Sequence, residues 1–297
     1  MERFKIMRLK IPKEEIMGHG NLACQGCGAT LAMRLALKAL GSNTVIVLPA
    51  CCWSVIDGPF PHSLVNVPLF HIAFAAAPAT ASGIKAAFEI QGKDTNVVAW
   101  AGDGSTYDIG LGTLSGAAER NDDMIYICYD NEAYMNTGIQ RSSSTPMGAW
   151  TTTTPVENPK ENPKKDIISI MAAHRIPYLA TASVAYPEDM IEKIKKAKDI
   201  EGMRFILVFS PCPTGWKYAP QLTVKLARLA VQSRVFPLIE IENGIKWKLN
   251  KEIAHPSPVS EYLKLQGRFK HLSDKDIAEI EQNVETDWNR LLEKTKK

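Results

Sequence analysis

Residues 102–138 read GDGSTYDIGLGTLSGAAERNDDMIYICYDNEAYMNTG. An apolar run at residues 96–101 leads into Gly102-Asp103-Gly104, and a second at residues 124–129 leads into Asp130-Asn131-Glu132. Residues 108–121, between them, are rich in small side chains and are predicted as a helix. A strand, a tight glycine turn, a helix and a second strand make one β-α-β unit. Its carboxylate and its amide then fall at the carboxyl ends of neighbouring parallel strands, the edge at which open α/β sheets bind ligands.

The residue types say what kind of ligand. Gly102 and Gly104 carry no Cβ, so the backbone turns sharply and can lie close to a phosphate. The following helix offers free N–H groups and the positive end of its dipole to an anion. Asp103 and the Asn131 amide are hard oxygen donors of the kind Mg2+ takes in small number, completing its octahedron with water and phosphate oxygens. The pattern reads as a site for Mg2+ and a diphosphate. Gly-Asp-Gly alone is an ordinary turn; its specificity comes from the helix, strand and Asp-Asn that follow.

Outward from this unit, residues 30–40 are predicted as a helix stopped by Gly41, and residues 44–48 as a short buried strand ending at Pro49-Ala50-Cys51-Cys52. Residues 58–84 carry no Lys, Arg, Asp or Glu, but prolines and histidines interrupt them before they reach the ~18 apolar residues of a membrane span. They read as a loop and then an Ala-rich helix over 73–89, regular from Pro78. Residues 141–163 are rich in Ser, Thr and Pro without periodicity, and a loop this long in a compact domain is usually functional; it is expected to cover the site. Helices at 166–174 and 187–199 alternate with strands at 179–184 and 205–209. That order predicts an α/β fold with a doubly wound, mainly parallel sheet. A helix at 222–232, a hairpin about Asn243-Gly244 and a polar helical tail form a C-terminal extension. The division expected is residues 1–215 as the cofactor-binding domain and 216–297 as an extension packing on it or on a partner subunit.

Composition narrows the classes. A net charge of +3 over 297 residues, with no basic cluster, leaves no footprint for nucleic acid. The charged N-terminus lacks the apolar stretch of a signal peptide, and the expectation is a cytoplasmic protein with no membrane segment. Six cysteines without a secretion signal favour metal or redox use over disulfides. Cys24 and Cys27 form a Cys-x-x-Cys on a glycine-rich turn, while Cys52 and Cys212 each follow a predicted strand at one sheet edge. Four such thiolates suit a [4Fe–4S] cluster; spacing alone leaves a tetrahedral zinc site open. Cys128, in mid-strand, reads as a small buried apolar residue, and Cys51 has no assigned role. His19 and His71 read as structural histidines, and Trp53, Trp100, Trp150 and Trp216 as core or subunit contacts.

Gly102-Asp-Gly104, then residues 105–130, then Asn131 resembles the diphosphate-binding motif of thiamine-diphosphate enzymes. Tyr134-Met-Asn-Thr-Gly138, followed by Gln140-Arg-Ser-Ser-Ser-Thr-Pro146, resembles the thiamine-binding β subunit of the pyruvate and 2-oxoacid:ferredoxin oxidoreductases, over roughly residues 18–245. The resemblance implies thiamine diphosphate, Mg2+ and a [4Fe–4S] cluster as cofactors. It implies Asp103, Asn131 and the Ala133 carbonyl as Mg2+ ligands, with Gly102, Gly104, Ser105, Tyr134 and Thr137 lining the cofactor. It implies Asn136 beside the reactive end of the cofactor as the catalytic residue, and Cys24, Cys27, Cys52 and Cys212 as cluster ligands.

The same resemblance implies CoA-dependent oxidative decarboxylation of a 2-oxoacid, pyruvate first, with electrons leaving to ferredoxin. An oxalate, 2-oxoisovalerate or 2-oxoglutarate enzyme is the alternative substrate reading, and a zinc-stapled scaffold subunit the non-catalytic one. The glutamate that activates the cofactor is not assignable in this chain. It is expected from an α subunit, which would also contribute substrate contacts, in a complex with γ- and δ-type subunits.

Overall fold

The computed structural model describes residues 9–296. Eight strands form one sheet: β1 (Thr44–Pro49), β2 (Leu69–Ile72), β3 (Asn96–Gly102), β4 (Met124–Asp130), β5 (Tyr178–Ser183), β6 (Met203–Phe209), β7 (Ile239–Glu242) and β8 (Lys246–Leu249). They lie in the order β2-β1-β3-β4-β6-β5-β7-β8. The first six are parallel, and β7 and β8 add a hairpin antiparallel to β5. Every residue of β4, β5 and β6 is buried, as a parallel sheet covered on both faces requires. The covering helices pack in pairs: α1 (Gly28–Leu40) against α6 (Pro187–Lys198), and α3 (Ala77–Ile90) against α4 (Leu111–Glu119). Trp53 meets Trp100 edge-on at 6.3 Å and Tyr126 stacks on Phe205 at 5.7 Å, so aromatic rings fill the core over the central strands.

One feature of the order positions everything else. From β1 the chain moves to β2 on one side, then crosses back and lays β3 on the other side of β1. The connections leaving β1 and β3 therefore diverge, and a crevice opens between their carboxyl ends. Pro49 to Trp53 leaves one lip, and Gly102 to Ser105 leaves the other.

Two local expectations differ from what is observed. The uncharged stretch before α3, read as a loop, contains the edge strand β2. It pairs on one side only, and Phe70 and His71 face outward, so neither the alternation nor the apolar run that marks a buried strand is present. The helix expected from 108 is α4 preceded by a widened π turn, Gly104–Ile109. The N–H of Gly110 reaches the carbonyl of Ser105 at 2.8 Å to close that turn. The C-terminal part continues through α8 (Thr223–Gln232), the β7–β8 hairpin, α9 (Val259–Lys264) and α10 (Asp274–Thr295), the last opened by a Ser273–Asp276 capping box.

α1 starts where it does because Gly28 can lie on another segment's backbone. Its N–H donates to the Pro211 carbonyl at 3.1 Å, and a Cβ there would stand 2.7 Å from that oxygen. Gly28→Ala is expected to cost about 1–3 kcal/mol through this overpacking, read as a lowered melting temperature. Wild-type melting would contradict the contact.

Candidate cofactor and metal site

The crevice is a pocket with three walls. Ala50, Cys51 and Cys52 come from the end of β1; Gly102 to Ser105 from the end of β3; Tyr129, Asn131 and Ala133 to Thr137 from the end of β4, with Phe74 closing one side. The β-α-β unit thus delivers Asp103 and Asn131 to one place, as its parallel strands dictate.

The central geometry involves three oxygens. The side-chain oxygen of Asn131 lies 2.9 Å from the Ala133 carbonyl oxygen and 2.9 Å from an Asp103 carboxylate oxygen. Three acceptors facing one another repel, and with nothing between them the amide would gain by turning over to donate to both. A cation reverses that preference. Mg2+ holds oxygens at about 2.1 Å in an octahedron, so adjacent ligands sit about 2.9 Å apart. The donor chemistry and the spacing both fit this ion.

Around the three oxygens the chain is strongly acidic and dry. Asp103 is 1% exposed; burial, and then the charge of Asp130, hold its carboxyl well above the usual range, while the Ser142 hydroxyl works against that. Ser142, from the long loop, donates to the other Asp103 oxygen at 2.5 Å, and Ser144 donates to Asp130 at 2.6 Å. Lys164, from the same loop, pairs with Asp130 at 2.5 Å and Glu132 at 3.2 Å. The long loop covers these carboxylates through hydroxyls and a lysine, while none of residues 141–163 lines the crevice itself.

The remaining expected residues divide. Tyr134 lays its ring on Gly104, where a Cβ would come within 2.2 Å of it, and its hydroxyl donates to Asp108 at 2.8 Å. Gly104 is needed for that close approach. Ser105 lines the pocket, but its hydroxyl donates to the Phe74 carbonyl at 2.7 Å, leaving its backbone as the part free to meet a ligand. Asn136 and Thr137 stand exposed on the pocket wall, and Thr137 donates to Gln140 at 2.5 Å. His19 and His71 are exposed and line no part of this pocket. Sequence reasoning missed Tyr129, Phe74 and Met135 as lining residues; Tyr129 carried the one available signal, the strand position directly before Asp130.

The cysteines share a neighbourhood beside the same crevice. The Cys27 N–H turns back to the Cys24 carbonyl at 3.1 Å, and the next residue, Gly28, binds the Pro211 carbonyl beside Cys212. The Cys212 sulfur accepts the Gly215 N–H at 3.4 Å, at the start of the short helix α7 (Pro213–Trp216). Burial pushes the Cys212 thiol up to about 11, with Cys27 and Cys24 adding to it. Burial likewise raises Cys52, and then Cys51, Cys212 and Cys27 do so. Among the described residues no group of three or more His, Cys, Asp or Glu side chains is arranged to hold a metal ion as it stands. Cys128 is fully buried within β4.

The match to known proteins agrees with this geometry in two steps. Residues 52–208 match the thiamine pyrophosphate enzyme, C-terminal TPP binding domain, which makes this a thiamine-diphosphate-binding domain. Over nearly its whole length the chain is 54% identical to the ketoisovalerate oxidoreductase subunit VorB of Pyrococcus horikoshii (96% of this chain, 94% of that protein). It is 51% identical to the pyruvate synthase subunit PorB of Methanothermobacter marburgensis (94% and 98%). In fold it is similar to 2-oxoglutarate:ferredoxin oxidoreductase from Magnetococcus marinus, with a TM-score of 0.59, 24% identity and coverage of 76% of this chain and 83% of that one. The chain belongs to the thiamine-diphosphate-binding β subunits of the 2-oxoacid:ferredoxin oxidoreductases, enzymes that oxidise 2-oxoacids.

Asn131→Leu keeps the volume and removes the central oxygen. The expected result is loss of Mg2+-dependent thiamine diphosphate binding by calorimetry, with the circular dichroism spectrum retained; unchanged binding would refute the three-oxygen site.

Proposed function

We propose that the chain binds Mg2+ and thiamine diphosphate in the β1/β3 crevice and a [4Fe–4S] cluster on Cys24, Cys27, Cys52 and Cys212. It would serve CoA-dependent oxidative decarboxylation of a 2-oxoacid, with electrons passing to ferredoxin. The observation that carries this is the Asn131 side-chain oxygen standing 2.9 Å from both an Asp103 carboxylate oxygen and the Ala133 carbonyl oxygen, with four thiols on three chain segments nearby. When bound, thiamine diphosphate supplies the carbanion that attacks a 2-oxo carbon, and a cluster supplies one-electron transfer.

The protein's part is binding and placement. Asp103, the Asn131 amide and the Ala133 carbonyl would hold the ion, and the N–H groups that follow Asp103 would face the diphosphate. The Tyr134 ring fixes the Gly104 turn, and Ser142 holds Asp103 in orientation. Asn136, exposed on the wall, is available to hydrogen-bond a substrate oxygen. Cys52 directly follows the pocket-lining Ala50 and Cys51, which supports a short path between cluster and cofactor.

Asp103 is the pocket's one acidic lining residue among those described, and the ion would occupy it. The carboxylate that activates the cofactor must then come from another chain, the α subunit, alongside γ- and δ-type subunits. The surface near the crevice supports docking. Val55, Phe60 and Phe70 are 49%, 97% and 50% exposed, and residues 58–84 carry no charge. No helix among the described residues is long and apolar enough to cross a membrane, and free cysteines fit a reducing cytoplasm. Pyruvate is the first substrate proposed; the 54% identity to VorB favours 2-oxoisovalerate as the second.

Anaerobically purified protein is expected to contain iron and acid-labile sulfide, with a brown absorbance that bleaches on reduction. Zinc in place of iron would sink the electron-transfer part. The chain alone is expected to be inactive, and adding the α subunit should restore 2-oxoacid-dependent reduction of a viologen dye. Turnover by the isolated chain would overturn the shared-site reading, and a panel of 2-oxoacids on the assembled complex decides the substrate.

A further inference from the structure

Glu132 sits between two of the three oxygen donors and has φ of 66°, the left-handed region. Its backbone angle sets how the Asn131 amide and the Ala133 carbonyl are aimed at one another. A non-glycine residue keeps such a conformation only when its surroundings hold it there; the Asp130 carboxylate accepts the Glu132 N–H at 3.1 Å and the Thr145 hydroxyl donates to the Glu132 carbonyl at 2.7 Å, and the side chain is held from the far end of the chain. Arg268, 136 residues later, donates to the Glu132 carboxylate at 2.6 Å, with the two side chains 2% and 3% exposed.

The arginine is itself fixed on every side. Its guanidinium lies 3.8 Å from the centre of the Trp216 ring and 4.8 Å from that of Phe269, and its Nε donates to Gln266 at 2.9 Å. The Trp216 indole N–H donates to the backbone carbonyl of Asn131 at 2.8 Å. Trp216 also ends the short helix that Cys212 begins. The Arg268 carbonyl accepts the N–H of Trp150, in the covering loop, at 2.9 Å. One side chain thus grips Glu132, braces the ring that grips Asn131, and adjoins the Cys212 segment.

We propose that Arg268 is a positioning residue for the metal. It locks Glu132 in the left-handed turn that aims the Asn131 and Ala133 oxygens at one point, and through Trp216 it ties that turn to the Cys212 segment. This rests on the Mg2+–thiamine diphosphate reading above. Lys164 also reaches Glu132, at 3.2 Å, so removing Arg268 does not leave that carboxylate without a cation.

The test is a Mg2+ titration at fixed thiamine diphosphate, by calorimetry, on the full chain in its assembled complex. Arg268→Met is expected to raise the half-saturating Mg2+ concentration by about 10–100-fold, the usual effect of losing an outer partner of a metal ligand. Arg268→Lys keeps the charge without the planar fork and should show the same direction; it carries the comparison if the methionine variant does not fold. Arg234→Met is the control. Arg234 stacks on Trp288 at 4.8 Å and pairs with Glu285 at 2.9 Å, anchoring the C-terminal part away from the site, and its loss should leave the Mg2+ requirement unchanged.

Glu132→Gln combined with Arg268→Met removes the buried charge that Arg268 had helped to balance, and should recover melting temperature without recovering Mg2+ affinity. A wild-type Mg2+ requirement in Arg268→Met would overturn the proposal. So would an equal rise in Arg234→Met, or full recovery of affinity in the double variant. Absence of Mg2+-dependent binding in the wild type would instead bring down the cofactor reading first, and this proposal with it.

Discussion

The Asn131 side-chain oxygen, 2.9 Å from both an Asp103 carboxylate oxygen and the Ala133 carbonyl oxygen in a buried crevice, is an electrostatic problem that turning the amide over or binding a cation would relieve. The carboxylates nearby make it worse: Asp130 and Glu132 are as buried as Asp103. Much of the local structure manages this charge. The covering loop is rich in hydroxyl residues because hydroxyls can bind a carboxylate without occupying the crevice, and Ser142 and Ser144 do so. Lys164 and Arg268 neutralise the outer pair, Asp130 and Glu132. Removing one partner of a buried ion pair typically costs about 3–5 kcal/mol, so the arginine and the acidic loop hold one another in place.

The sheet order sets how far apart the cysteine-bearing segments stand. β3 and β4 separate β1 from β6, so the strand ends before Cys52 and Cys212 stand about 14 Å apart at roughly 4.8 Å per strand. Two strand ends that far apart do not bring their cysteines together unaided. The start of α1 spans the gap, with the Cys24–Cys27 turn on the Pro211 backbone through Gly28. The segment before α1 is thereby tied to the carboxyl end of β6.

What could be read from the chain follows from the range over which each feature is determined. Parallel strands buried on both faces leave continuous apolar runs, so β1, β3, β4 and β6 were legible, and with them Asp103 and Asn131 at the shared edge. The edge strand β2 was not, because half of its side chains face outward and Pro68 precedes it. The π turn depends on which carbonyl the Gly110 N–H selects, and no residue type announces that. Ser105 lies on the pocket wall, yet its hydroxyl is bound to the Phe74 carbonyl, a choice made by packing. Arg268 is the extreme case. Nothing near it in sequence distinguishes it from a surface arginine, and its role depends on a contact closed across 136 residues.

β2 has a further consequence for life before assembly. It ends the sheet with one row of backbone N–H and C=O groups unpaired, beside a large aromatic ring open to water, and exposed edges of this kind invite pairing with another chain. A newly made copy without company would tend to clump through that rim. Synthesis of the subunits in matched amounts would therefore protect this chain as well as complete the enzyme.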